Sequence, residues 1–333
     1  MARYSELATV KATKARLRQF GLRGKKSLGQ HFLISDDIVG KIIRLANPAG
    51  LSAQISGDGS HGDLLQPANP AGLLGASSTV LAPSKGSPAS IPLIIEVGPG
   101  IGTLTEALLA TGIRVVAIEK DPRLLEVLRE AFAAAIAAHQ LEIFGADALD
   151  SACIVSLASR HPLALVANLP YDVAASLTLT YFLRLPSLQS ATVMVQREVA
   201  WRMMARPGSK NYGAYSLKLQ LLASPGPNFA VSPGNFFPPP RVQSTVLRLN
   251  RRPEALLMEP DLLQAAFTVI DAAFFHRRKT IANSMRAYFA ATQLPQNLVD
   301  TLLQATRLSP RVRGETLSEC AYLAMARALL AAR

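Results

Sequence analysis

Cysteine is nearly absent from this 333-residue chain: Cys153 and Cys320 stand far apart in no C-x-x-C pair, and the five histidines show no ligand spacing. No disulfide framework and no zinc or other metal site is expected, and the thiol usage fits a reducing, cytoplasmic compartment. Long apolar runs are missing too. None reaches the roughly 18 residues of a membrane span, and the alanine-rich stretch 131–138 reads as a packed helix. Acidic residues are scarce: 23 Asp and Glu face 35 Lys and Arg, a formal charge of +12. A surplus of that size attracts polyanions without choosing among them, and nucleic acid is the first candidate.

The cations are clustered. Lys11, Lys14, Arg16, Arg18, Arg23, Lys25 and Lys26 crowd the start, and Arg277, Arg278 and Lys279 are contiguous, which weakens mere solubility as the explanation. Residues 1–26 read as a short basic helix or arm. Their poverty in acids also fits an organelle transit peptide, but the run leads straight into Ser27-Leu-Gly-Gln-His-Phe-Leu33, a compact turn suited to a folded protein. Asp36 follows as a cap for a helix over 38–45. Residues 47–90 are rich in Gly, Pro, Ser and Ala with hardly any charge, the composition of a low-complexity insertion expected to be mobile.

From Pro92 onward, apolar strands alternate with amphipathic helices, as in a parallel sheet covered on both faces. Strands are expected at Leu93–Val97, Arg114–Glu119, 141–144, 163–168 and 191–196, with two more between 217 and 249. After Pro253 the pattern is helical only. The division that follows is a basic arm and turn (1–46), the insertion (47–90), an α/β domain (91–252) and a helical domain (253–333).

The first strand runs into Glu96-Val-Gly-Pro-Gly-Ile-Gly102, so a buried strand turns sharply into a helix at Thr103. Side chains at Gly98, Gly100 or Gly102 would stand between the backbone and a ligand crossing the strand ends. The helix start offers unpaired N–H groups to a carboxylate or phosphate. The spacing is G-x-G-x-G, with Thr103 where a dinucleotide loop needs its third glycine, and the Gly-Lys-Ser/Thr ending of a Walker loop is absent. This loop resembles that of class I methyltransferases, which bind S-adenosylmethionine. Glu119 ends the second strand about 20 residues later, where a carboxylate can accept from both hydroxyls of a ribose. A surface cap on the Asp121-Pro122 turn is its simpler role. Asp147, after the third strand, is a candidate for the adenine amino group, although Asp commonly begins a helix.

Asn168-Leu-Pro-Tyr171 ends the fourth strand, on the same sheet edge as the glycine loop. An adenine amino group is a poor nucleophile because its lone pair is drawn into the ring. The Asn168 side-chain carbonyl and the Leu169 backbone carbonyl can each accept one N–H and turn that pair toward a methyl donor, while Tyr171 stacks on the base and Pro170 stiffens the turn. On its own the tetrapeptide is only a strand-ending turn. No histidine stands beside it in the sequence, which suits chemistry resting on orientation rather than on a strong base.

Taken together, Lys25-Lys-Ser-Leu-Gly-Gln-His-Phe-Leu33, the glycine loop through Thr105, Asn168-Leu-Pro-Tyr171, Gln196-Arg-Glu-Val-Ala200, Pro207-Gly-Ser-Lys-Asn-Tyr212, Phe236-Phe-Pro-Pro-Pro-Arg-Val242, Phe275-His-Arg-Arg-Lys-Thr280 and Arg313-Gly-Glu-Thr-Leu317 resemble the small-subunit ribosomal RNA adenine dimethyltransferases. The likeness covers nearly everything outside 47–90. It implies a Rossmann-like class I methyltransferase sheet with a small all-helical C-terminal domain, and S-adenosylmethionine as methyl donor. By resemblance, His31 and Leu33 join Glu96, Gly98, Gly100, Gly102, Glu119, Asp147 and Asn168 at the donor. Lys25, Lys26, Arg241, Arg277, Arg278 and Lys279 face the RNA. The implied substrate is a pair of adjacent adenosines in a hairpin loop near the 3' end of small-subunit rRNA, within an assembling ribosomal particle, and a monomer is expected. Two relatives of the same fold stand as alternatives: a macrolide-resistance-type methyltransferase of large-subunit rRNA, and a non-catalytic RNA-binding assembly factor. His31 stands where many relatives have Asn.

Overall fold

The computed structural model describes residues 3–22, 31–47, 50 and 91–332. Nearly all of the insertion, and the turn residues before His31, lie outside the described residues. A helix α1 (Val10–Gln19) opens the chain and is followed by a two-residue strand β1 (Phe32–Leu33) and α2 (Asp36–Ala46). The main sheet then builds in alternation: β2 (Leu93–Val97), α3 (Thr103–Leu109), β3 (Arg114–Glu119), α4 (Pro122–Ala131), α5 (Ala133–Ala137), β4 (Leu141–Gly145), α6 (Ser151–Ala158), β5 (Ala164–Asn168), α7 (Ala174–Arg184) and β6 (Ser190–Gln196). Two helices, α8 (Arg197–Met203) and α9 (Ala214–Leu222), precede β7 (Ala223–Val231), β8 (Phe236–Phe237) and β9 (Ser244–Arg251). Helices complete the chain: α10 (Pro253–Leu256), α11 (Pro260–Phe274), α12 (Ile281–Ala291), α13 (Leu298–Ala305) and α14 (Glu319–Ala331).

The seven-stranded sheet has the order β4-β3-β2-β5-β6-β9-β7, parallel through β6 and antiparallel at β9 and β7. The order reverses between β2 and β5, so the chain leaves those two neighbours in opposite directions and opens a crevice beyond their C-terminal ends. Strand side chains alternate between two cores. Ile95, Val97, Val116 and Leu165 pack with α6 and α7 on one face, and Ile94, Val115, Ala117 and Val166 pack with α2 and α3 on the other.

Several expectations are corrected locally. Asp36 does not cap α2: Ser35 is at the cap position, and the Asp36 carboxylate accepts the backbone N–H groups of Tyr4 and Ser5 at 2.9 and 2.8 Å. The alanine-rich stretch packs as expected, with Phe132, Ala135 and Ile136 against the core, but not as one helix, because the backbone leaves helical geometry at Phe132. The basic start is no free arm, since Leu17 of α1 is buried against Phe32 and Ile101. The helical end draws on residues before 252: Ala205, Tyr212, Leu217 and Leu221 share one core with Val269, Ile281, Met285, Leu302 and Met325.

Candidate functional site: the corner between β2 and β5

The glycine loop and the Asn168 tetrapeptide meet at the crevice. Gly98 and Gly100 both hold the left-handed backbone, at φ of +67° and +62°. A Cβ on Gly98 would lie 3.5 Å from Pro170 and 3.9 Å from the Asn168 carbonyl oxygen, so the loop passes directly beside the second motif. Gly102 is left-handed as well, at φ of +92°, and a Cβ there would run into the Phe132 ring at the end of α4, so this glycine also makes room for close packing. At the start of α3, the Thr103 hydroxyl oxygen is buried and lacks a hydrogen-bond partner among the described residues. Buried polar atoms are seldom left so, and an orphan beside a backbone cradle suits a polar ligand. The residues present therefore fit an S-adenosylmethionine-like molecule. Thr103 was not singled out from sequence; its place directly after G-x-G-x-G is the signal that could have found it.

Glu119 is only 8 % exposed, hence no surface carboxylate. Its Oε1 accepts the backbone N–H groups of Lys120 and Asp121, each at 2.9 Å, and its Oε2 accepts that of Gly100 at 3.2 Å. The side chain thus caps the turn after β3 and ties it to the glycine loop through Gly100. Burial pushes its carboxyl upward, against the three N–H groups that favour the anion. Glu96 lies deeper, in β2, where the Thr105 hydroxyl donates to its Oε2 at 2.6 Å and burial pushes its carboxyl up to about 8. It supports the first turn of α3 from beneath. Asp147 is exposed, paired with Lys120 at 2.7 Å and capped by the Leu149 N–H, and the Lys120 bond holds its carboxyl below the usual range.

At β5, the Asn168 amide nitrogen donates to the His31 carbonyl at 3.2 Å. The Leu169 N–H donates to the Met194 carbonyl at 3.1 Å. Among the described residues no donor reaches Asn168 Oδ1 or the Leu169 carbonyl, which leaves unengaged acceptors on two adjacent residues where β5 ends. His31 arrives there because β1 pairs antiparallel with β8, Phe32 opposite Phe237 and Leu33 opposite Phe236. Its Nδ1 lies 2.8 Å from the Pro238 carbonyl, an acceptor only, so Nδ1 carries the proton. The ring stacks on Tyr171, centroids 5.7 Å apart, and Tyr171 is hydrogen-bonded through its hydroxyl to Ser244 Oγ at 2.9 Å. A histidine does therefore stand beside the tetrapeptide, brought by the fold from 137 residues away. Leu33 is buried in the core on the α2 side.

The cations divide. Lys25 and Lys26 lie outside the described residues. Arg241 is exposed near the Tyr171 side, three residues before Ser244. Arg277 is exposed yet committed internally: its Nε pairs with Glu315 at 3.1 Å, and its Nη2 donates to the carbonyls of Lys210 and Tyr212. Arg278 and Lys279 make no such bonds among the described residues and are exposed.

A model of the ribosomal RNA adenine dimethylase family matches residues 21–325. The chain is 36% identical over 301 residues to a ribosomal RNA small subunit methyltransferase A of Thermobifida fusca, covering 90% of this chain and 88% of the relative. It is also 36% identical over 327 residues to the protein of that name in Phenylobacterium zucineum, covering 98% and 95%. Among solved structures it resembles a dimethyladenosine transferase from Plasmodium falciparum, with TM-score 0.62 at 19% identity over 89% of this chain and 96% of that one. The 23S rRNA methyltransferase ErmE aligns with TM-score 0.52 at 23% identity over 72% and 91%. These two likenesses bear out the class I methyltransferase fold. Matched by the family model over residues 21–325 and 36% identical to two of its members over most of their length, the chain belongs to the ribosomal RNA adenine dimethylase family.

Proposed function

We propose that the protein transfers methyl groups from S-adenosylmethionine to the N6 amino groups of two adjacent adenosines in a hairpin loop near the 3' end of small-subunit rRNA, carrying each to N6,N6-dimethyladenosine. The observation that supports this best is the pair of unengaged acceptors, Asn168 Oδ1 and the Leu169 carbonyl, beside a glycine loop with an orphaned Thr103 hydroxyl. The sulfonium of the bound donor supplies an electrophilic methyl. The rest of the work falls to the chain. Because the Asn168 amide nitrogen is tied to His31, its oxygen must face the crevice, where it and the Leu169 carbonyl accept the two N–H bonds of the adenine amino group and free its lone pair. Tyr171, held by Ser244 and backed by His31, offers a ring face to a base that has left its stack. After methylation the nitrogen is cationic and sheds its proton readily, so no strong base is required.

Glu119 accepts from the donor's ribose, Asp147 from its adenine amino group, and Gly98, Gly100 and Thr103 line its path. The names of the curated relatives support the small subunit as substrate. Among the described residues no helix is long and apolar enough to cross a membrane and no side-chain cluster could hold a metal ion; the protein acts on its ribosomal particle as a monomer of the cytoplasm. Labelled methyl donor with undermethylated small subunits, and large subunits in parallel, tests the reading. Transfer to small subunits alone is expected. Transfer to large subunits would favour the macrolide-resistance-type activity, and transfer to neither would favour a binding factor.

A further inference from the structure

Trp201, the chain's only tryptophan, takes no part in a core. It is 44% exposed on α8, and the guanidinium of Arg197, one turn earlier, lies over its ring with Cζ 4.8 Å from the centroid. A large aromatic side chain on the surface, backed by a cation, presents a flat ring face on which another planar group can stack.

Its position relative to the Asn168 corner says what. The contacts run without a gap from the crevice: the Tyr171 hydroxyl meets Ser244 Oγ, and Ser244 pairs with Gln196 across β9 and β6. The adjoining Gln243 carbonyl accepts the Arg197 N–H at 3.0 Å, and its Oε1 accepts from the Arg197 guanidinium at 2.6 Å. That double grip holds Arg197 against the indole. Beyond Trp201, Arg202 and Lys210 line a cleft of about 400 Å³ together with Tyr212, Tyr215 and Arg277. Arg197, Arg202, Arg206 and Lys210 are exposed on α8 and the segment that follows it, against one exposed acid of α8, Glu198. A protein partner drawn by apolar area alone would meet cations here; a polyanion with flat apolar groups satisfies both features.

We propose that Trp201, backed by Arg197, is a stacking platform for an unpaired base flanking the target adenosine, with Arg202 and Lys210 taking the adjoining phosphates. The inference rests on the RNA reading given above and adds a specificity-determining surface to it. Single-stranded RNA presents bases with free faces once the loop is splayed for the target to leave its stack. Stacking on an aromatic side chain is tolerant of base identity, and the neighbouring guanidinium adds attraction for the backbone.

A single tryptophan makes the test direct. A hairpin RNA with an adenosine-containing loop, end-labelled for anisotropy, is titrated into the full chain while intrinsic emission is read. Emission should be quenched in step with binding, whereas heparin, a polyanion without bases, should bind and leave it unquenched. Trp201→Ala should weaken RNA binding by about 5- to 150-fold, the range for one stacked base, and Trp201→Phe should restore most of it, with donor affinity by calorimetry unchanged in both. Saturation by anisotropy without an emission change, equal quenching by heparin, or Trp201→Ala binding RNA as wild type would each overturn the platform. So would Trp201→Ala losing a protein partner while keeping RNA affinity. Methyl transfer by the wild type to small subunits reports on the activity separately: transfer with no effect at Trp201 sinks only the platform, and quenching without transfer sinks only the activity.

Discussion

Glu119 shows how much one carboxylate can be asked to do. A carboxylate offers about four lone-pair sites, and three are taken by the N–H groups of Gly100, Lys120 and Asp121. With three sites occupied, the proposed ribose contact is one hydroxyl donating to Oε2 rather than two hydroxyls shared by the carboxylate. Glu119→Ala should weaken donor binding by about 1.5 to 3 kcal/mol, the worth of a hydrogen bond to a charged group, and unchanged affinity by calorimetry would refute the ribose role. Asn168→Ala should lower the methyl-transfer rate by about 10² to 10³ with little loss of RNA affinity. The second methylation should suffer more, since a monomethylated amine keeps a single N–H; single-turnover kinetics with mass detection of both products reads this. Glu96 carries a pH signature. Its folded carboxyl titrates at about 8 against an ordinary 4.5, so the native state binds the extra proton between those values. Its contribution to stability is full below about 4.5 and is lost as pH rises to about 8. Glu96→Gln should flatten that decline, and a melting temperature with the same slope from pH 5 to 8.5 in both proteins would contradict it.

At the scale of elements, short pieces decide the site. The two-residue pair β1–β8 is too small to be stable alone, yet it delivers the His31 carbonyl to Asn168 and the His31 ring to Tyr171. The turn after α11 divides its three cations between two tasks. Because Arg277 ties Glu315 to the carbonyls of Lys210 and Tyr212, it holds the 207–213 loop against the helical unit. Arg278→Ala with Lys279→Ala should lower RNA affinity at low salt and reduce the slope of log affinity against log salt by about 2, one per phosphate contact. Arg277→Ala should instead lower the melting temperature. An equal salt-slope change from Arg277 alone, with stability intact, would return it to the RNA face.

The described residues pack continuously across residue 252. Arg252 pairs with Glu319 and donates to the Gln220 carbonyl, and Lys218 pairs with Asp271 at 2.7 Å. More important, α9 gives Leu217 and Leu221 to the helical core and Leu219 and Leu222 to the sheet core. A fragment 253–333 would lack Tyr212, Leu217 and Leu221 from its core and expose the helix faces they cover. It should show no cooperative thermal transition by circular dichroism, and a sharp one would mean that the helical unit folds by itself.

Local pattern was enough to read the strands, because apolar runs bounded by glycine and proline specify a buried parallel sheet almost residue by residue: Leu93–Val97 and Arg114–Glu119 stand where the sequence puts them. That the glycine loop, Glu119 and Asn168 stand at strand ends was legible for the same reason, since each follows directly on an apolar run. Tertiary structure alone decided the rest. Asp36 has the composition of a helix cap but answers to Tyr4 and Ser5, and the room Gly102 leaves for the Phe132 ring shows only once α4 is packed against the loop. The His31–Asn168 bond and the Trp201–Arg197 stack beside Ser244 depend on which strands become neighbours, and that is a property of long-range packing that no local window of residues contains.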